Sequence, residues 1–130
     1  MDFEIERLGN GPIIAPDMDA RMGTNINGPS LIRAPNWLAN PLGRYYLYFA
    51  HHNGSYIRLA VADTVEGPWR THEDGILDLA ESYFINHIAS PEIYIDDAAK
   101  SIRLYFHGAP VTSLTVDKFK ERGSRNRVTV

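Results

Sequence analysis

The sequence predicts an all-β protein assembled from a repeated unit of the size of a propeller blade. Three observations predict it. Pro and Gly punctuate the chain at Gly11-Pro12, Gly28-Pro29, Asn40-Pro41, Gly67-Pro68 and Ala109-Pro110, which leaves little room for a long helix. Between them lie runs rich in aromatic and β-branched residues, separated by short turns. Two of these runs recur about sixty residues later, and strands that recur at tens of residues mark blade-like architectures.

In chain order, Gly28-Pro29-Ser30-Leu31-Ile32-Arg33 is the first strand, opened by its proline. Tyr45-Tyr46-Leu47-Tyr48-Phe49-Ala50 follows, with large apolar groups on both alternating faces, as expected of a strand covered on both sides. After the turn Asn53-Gly54-Ser55 comes Tyr56-Ile57-Arg58-Leu59-Ala60-Val61-Ala62, completing a hairpin, and a fourth strand is expected near Trp69. The best helical stretch, Asp78 to Phe84, is short.

The second copy opens at Ser90-Pro91-Glu92-Ile93-Tyr94-Ile95 and continues at Arg103-Leu104-Tyr105-Phe106-His107. Pro29 and Pro91 are 62 residues apart, whereas Leu47 and Leu104 are 57 apart. A loop five residues longer in the first copy, within residues 34–43, accounts for the difference. Two unrelated hairpins could also give a similarity of this strength.

Composition narrows the functional classes. At 130 residues with 44% hydrophobic and 22% charged side chains, the chain suits a single soluble globular domain. It has no apolar run of the roughly 20 residues a spanning helix needs, and its charged N-terminus lacks the apolar core of a secretory signal. A cytoplasmic protein without membrane contact is expected. A net charge of −3 argues against a general nucleic-acid surface. The absence of cysteine excludes disulfides, thiolate zinc and a cysteine nucleophile.

Charge is unevenly spread. From Asp117 onward five basic residues face two acidic ones, while the preceding residues carry eight basic against fourteen acidic. Of fourteen aromatic residues only Phe119 lies beyond Phe106. Residues 1–110 therefore form the β unit, and 111–130 a basic tail of different character.

The stretch Asn27-Gly28-Pro29-Ser30-Leu31-Ile32-Arg33, then Gly43-Arg44-Tyr45-Tyr46-Leu47-Tyr48, then Ala62-Asp63 to Glu66-Gly67-Pro68-Trp69, resembles the first blade of the five-bladed propeller glycosidases related to glycoside hydrolase family 43. Ala89-Ser90-Pro91-Glu92-Ile93 with Leu104-Tyr105-Phe106 is similar to the opening of that family's second blade. The resemblance covers roughly residues 11–108. Five blades need about 250–300 residues, so it implies a partial propeller of about one and a half to two four-stranded blades.

The family hydrolyses glycosidic bonds with carboxylates at a central funnel, one donating a proton to the departing oxygen and one activating water or attacking the sugar. The resemblance places the general base at Gly28, preceded by Asn27, neither of which takes up a proton as a carboxylate does. The second-blade carboxylate that orients the acid matches Glu92, while the general-acid glutamate belongs to a later blade. The expected reading is a glycoside-hydrolase-like piece, inactive alone, whose full-length relatives hydrolyse glycosides. The alternative is a non-catalytic carbohydrate-binding or interaction fragment.

Glu92 and Asp19 are the candidate catalytic carboxylates, Asp19 as a loop replacement for the missing base; Asp17 and Asp19 also suit a solvated turn. Asn27 is a candidate sugar contact, with Asn25 on the same face if both lie on a strand. His51 and His52 end the aromatic strand, His87 precedes the second copy and His107 ends it, so all four are placed to gather at one rim. The first three are candidate substrate contacts. Their spacing matches no tight metal motif, so no metal or other cofactor is expected. His72 reads as solvated, Asp63 and Glu66 as turn residues, and Trp69 as packing. Carbohydrate is the expected partner, together with self-association through exposed strand edges.

Overall fold

A computed structural model describes residues 3–109 apart from 8, 10, 17, 20–22 and 74; the basic tail lies outside the described residues. The described residues are all-β and form seven strands: β1 Asn27–Arg33, β2 Tyr45–Ala50, β3 Tyr56–Ala62, β4 Arg70–Thr71, β5 Leu77–Asp78, β6 Ile88–Asp96 and β7 Ser101–Gly108. The stretch from Asp78 makes only a single 3-10 turn, Leu79–Glu81, closed by a capping box between Asp78 and Glu81. No described helix is long and apolar enough to cross a membrane.

The first sheet is an antiparallel meander in the order β1-β2-β3-β4, and β5 pairs farther along the same outer edge of β3. The expected fourth strand thus exists as two short pieces, β4 at Ala60–Val61 and β5 at Tyr56–Ile57. β6 and β7 form a separate antiparallel hairpin.

The pairing register reproduces the sequence repeat. Ser30 pairs with Tyr48 and Leu31 with Leu47 in the first unit; Glu92 pairs with Tyr105 and Ile93 with Leu104 in the second. Both opening strands carry an extra residue at the proline, between Asn27 and Ser30 and between Ala89 and Glu92. The residue before each proline adopts a positive φ, 58° at Gly28 and 50° at Ser90. The repeat is therefore one of backbone bulges as well as of side chains.

The two units stack head to tail. Ile32, Tyr46 and Tyr48 of the first sheet meet Ile93, Ile95, Ile102 and Leu104 of the second. In the repeat, Ile32 and Tyr48 correspond to Tyr94 and Tyr105, whereas Ile93 and Leu104 correspond to Leu31 and Leu47. Opposite faces of equivalent units are thus in contact, a heterologous contact that leaves the outer face of the second unit, with Tyr94 and Tyr105, open.

The remaining face of the first sheet is also covered. Leu47, Phe49, Ala60, Ala62 and Trp69 form a core there, on which Ile13, Ile14 and Ile26 of the N-terminal segment pack. β2 is consequently buried on both sides, as its unbroken run of large apolar residues requires. Trp69 is a packing residue, 9% exposed, its indole N–H donating to the Val65 carbonyl.

The longer first-copy loop also has a structural role. Trp37, within it, donates its indole N–H to Asp97 Oδ1 at 2.7 Å, tying the loop to the β6–β7 turn. Burial of Tyr48 between the sheets, with Tyr46 beside it, pushes the Tyr48 phenol above its ordinary range, so it stays neutral.

Candidate carbohydrate-binding rim

The bulges of β1 and β6 meet where the two units join. A Cβ on Gly28 would lie 2.6 Å from Ser90 Cα and 3.1 Å from Ser90 Cβ and Oγ, so this position is filled by the backbone of the second unit. Two residues on, Ser30, 7% exposed, accepts the Ile93 N–H at 3.1 Å. A hydroxyl at this bulge satisfies a strand amide that its own hairpin leaves unpaired.

Glu92 occupies the position in the second unit that Ser30 holds in the first. Its side chain is exposed on the outer face, with Tyr94 on the same strand and Tyr105 opposite on β7. Alternation along β6 sends Ile93 inward and Glu92 outward, as the sequence implied.

Asp19 follows a turn closed by the Met18 N–H on the Ala15 carbonyl; it is half-buried and engaged in an interaction of its own. It lies between Ile14 and Ile26, both packed on the far face of the first sheet. Two sheet layers separate that face from the outer face that bears Glu92. Asp17 lies outside the described residues.

Asn27 pairs with Ala50, which faces the second unit, and its Oδ1 is buried with no hydrogen-bond partner among the described residues. The strand begins only at Asn27, so strand alternation does not set Asn25 beside it. Asn25 Oδ1 accepts the His52 N–H at 3.1 Å, and its carbonyl accepts from Arg58 at 3.2 Å on the other side of the sheet.

The turn that follows His51 and His52 lies close to the strand ends that carry His87 and His107. Gly54, in the turn after His51 and His52, accepts the Ile88 N–H at 3.0 Å, which brings that turn against the start of β6, where His87 sits. The His87 and His107 rings meet edge to face, centroids 6.0 Å apart. His51 Nδ1 accepts the Asn53 N–H at 3.0 Å, so the neutral ring carries its proton on Nε2. His52 is exposed. Among the described residues no three His, Asp or Glu side chains are grouped to hold a metal ion. The rim gathers hydrogen-bonding side chains, and among the described residues Asp19 and Glu92 are not brought together on it.

Arg58 belongs to this rim and escaped the sequence reading. It is 6% exposed on β3 and lies over the Tyr56 ring at 4.9 Å. A lone charge within the apolar run Tyr56–Ala62 was the signal that could have identified it.

Among curated proteins, the chain is similar to an uncharacterized protein of Acanthamoeba polyphaga mimivirus, 39% identical over 100 aligned positions. The match takes in 64% of this chain but only 28% of the viral protein's length. No family model and no solved structure matches the chain.

Proposed function

We propose that this chain is a glycosidase-like β-propeller fragment, able to bind carbohydrate at the rim of its first unit and unable to hydrolyse glycosides by itself. The observation that carries the reading is the contact of Gly28 with Ser90: where the resemblance asks for a general base, a Cβ would meet backbone at 2.6 Å. A carboxylate cannot stand there without separating the units. The resemblance assigns the general acid to a later blade, and no stretch of this sequence resembles that part of the family.

Further support comes from the stacking mode. Head-to-tail contact between equivalent units generates a ring or a spiral when continued, and the open face of β6–β7 offers the next unit the same positions that the first unit uses. The viral relative is long enough to hold several more such units, since the match spans 28% of it. Asn27, His51, His52 and His87 are the proposed ligand contacts; with its Nδ1 engaged by Asn53, His51 has Nε2 left to meet a hydroxyl group, and His52 is exposed.

The test is a glycan array followed by calorimetric titration with the oligosaccharides it selects. Saturable binding weakened about tenfold or more by Asn27→Ala or His52→Ala is expected. No binding by any glycan, or binding indifferent to both substitutions, would refute the reading.

A further inference from the structure

Resting on that reading of the rim, we infer that Arg58 is its positioning residue: it fixes the chain at Gly23–Asn25, and Asn25 in turn fixes His52. The geometry is continuous. The guanidinium donates from Nη1 to the Asn25 carbonyl at 3.2 Å, while its carbon sits 4.9 Å from the Tyr56 ring centre. From the same residue, the Asn25 side chain accepts the His52 N–H at 3.1 Å. Two hydrogen bonds thus connect a buried strand residue to an exposed histidine six positions earlier.

Gly23 provides an independent indication. It has a φ of +72°, and a Cβ there would lie 3.0 Å from Arg58 Nη2. Only glycine adopts this conformation without strain and lets the main chain close over the guanidinium. The planar guanidinium stacks on the tyrosine face while an in-plane N–H donates to the carbonyl, an arrangement that a compact, more strongly hydrated lysine ammonium reproduces less well. A buried charge in the middle of an apolar strand is costly unless it is compensated; here Nη1 donates to the segment that carries Asn25 and the Tyr56 ring faces the cation, while Nε is buried without a hydrogen-bond partner among the described residues.

The hydrogen exchange of individual amides in the full chain, measured by NMR, tests the inference without any ligand. In Arg58→Met, exchange at His52 should accelerate at least tenfold, to the rate found in Asn25→Ala, while Val61 in the same strand as Arg58 keeps its protection. Arg58→Lys should fall between Arg58→Met and the parent chain, and Gly23→Ala should reproduce the acceleration. The Arg58→Met, Asn25→Ala double variant should exchange at His52 no faster than either single one, because both substitutions break one series of contacts.

Glycan titration of the same variants should show matching losses of affinity. Unchanged exchange at His52 in Arg58→Met would overturn the inference, as would equal acceleration at His52 and Val61, which would mean general loosening. If Arg58→Met does not fold, the Arg58→Lys comparison decides the question on the same two amides. Accelerated exchange at His52 in a chain that binds no glycan would uphold the positioning role and remove the carbohydrate reading alone.

Discussion

The same strand pair occurs twice in this molecule under different cover. Ser30, Ile32 and Tyr48 of the first unit are 7%, 9% and 2% exposed. At the corresponding positions of the second unit, Glu92 is exposed, Tyr94 is 53% exposed and Tyr105 is 55% exposed. Pairing register and bulges are alike, so the difference comes from what stacks on each unit. Burial here is a property of position in the stack, and a tyrosine serves equally as core or as open surface.

Replacing equivalent residues should break or uphold this comparison most clearly. Tyr48→Ala removes a buried aromatic and should cost about 3–5 kcal/mol, whereas Tyr105→Ala should stay within about 0.5 kcal/mol. Urea unfolding of both variants measures the contrast, and equal losses would mean that the two faces are not differently covered.

The bulges give a contrast of opposite sign. Gly28→Ala places a Cβ against Ser90 and puts alanine at positive φ, so a loss of about 1–3 kcal/mol is expected. Ser90→Gly relieves a non-glycine residue of the same conformation and should stabilise by about 1 kcal/mol. If both substitutions destabilise alike, the bulges are not equivalent.

Tyr48 also marks the first unit by its response to alkali. Its folded pKa lies above the ordinary 10, so the neutral phenol contributes stability that is complete below pH 10 and is lost as pH rises above it. The linkage slope for one proton is about 1.4 kcal/mol per pH unit. Denaturant midpoints from pH 9 to 11.5 should therefore fall more steeply in the parent chain than in Tyr48→Phe, and coincident slopes would count against this burial.

The smallest effect belongs to Glu92. Glu92→Ser restores the residue found at the equivalent position, and on an open face it should change stability by less than about 0.5 kcal/mol.

Much of this fold was legible in the residues because local pattern decided it. The apolar alternation of Tyr45–Ala50 implied cover on both faces, and the offsets of 62 and 57 appear directly in the register. What covers each face was not legible, since that rests on contacts between residues far apart in sequence. Nothing local in Ile13 and Ile14 announces that they pack on the outer face of the first sheet.

The rim was legible in part. The histidines near strand ends were visible, and a short turn brings His51 and His52 toward His87. That strand alternation does not set Asn25 beside Asn27 was not, because it depends on the strand starting at the second of them. Nor was the filling of the Gly28 position, which requires knowing that one bulge packs on the other.

Aryl-glycoside turnover by the 130-residue chain tests the central claim most directly. Release of the aryl group at the buffer rate, in a preparation that binds oligosaccharide, is the predicted result. Release above that rate that disappears in Glu92→Gln would contradict it.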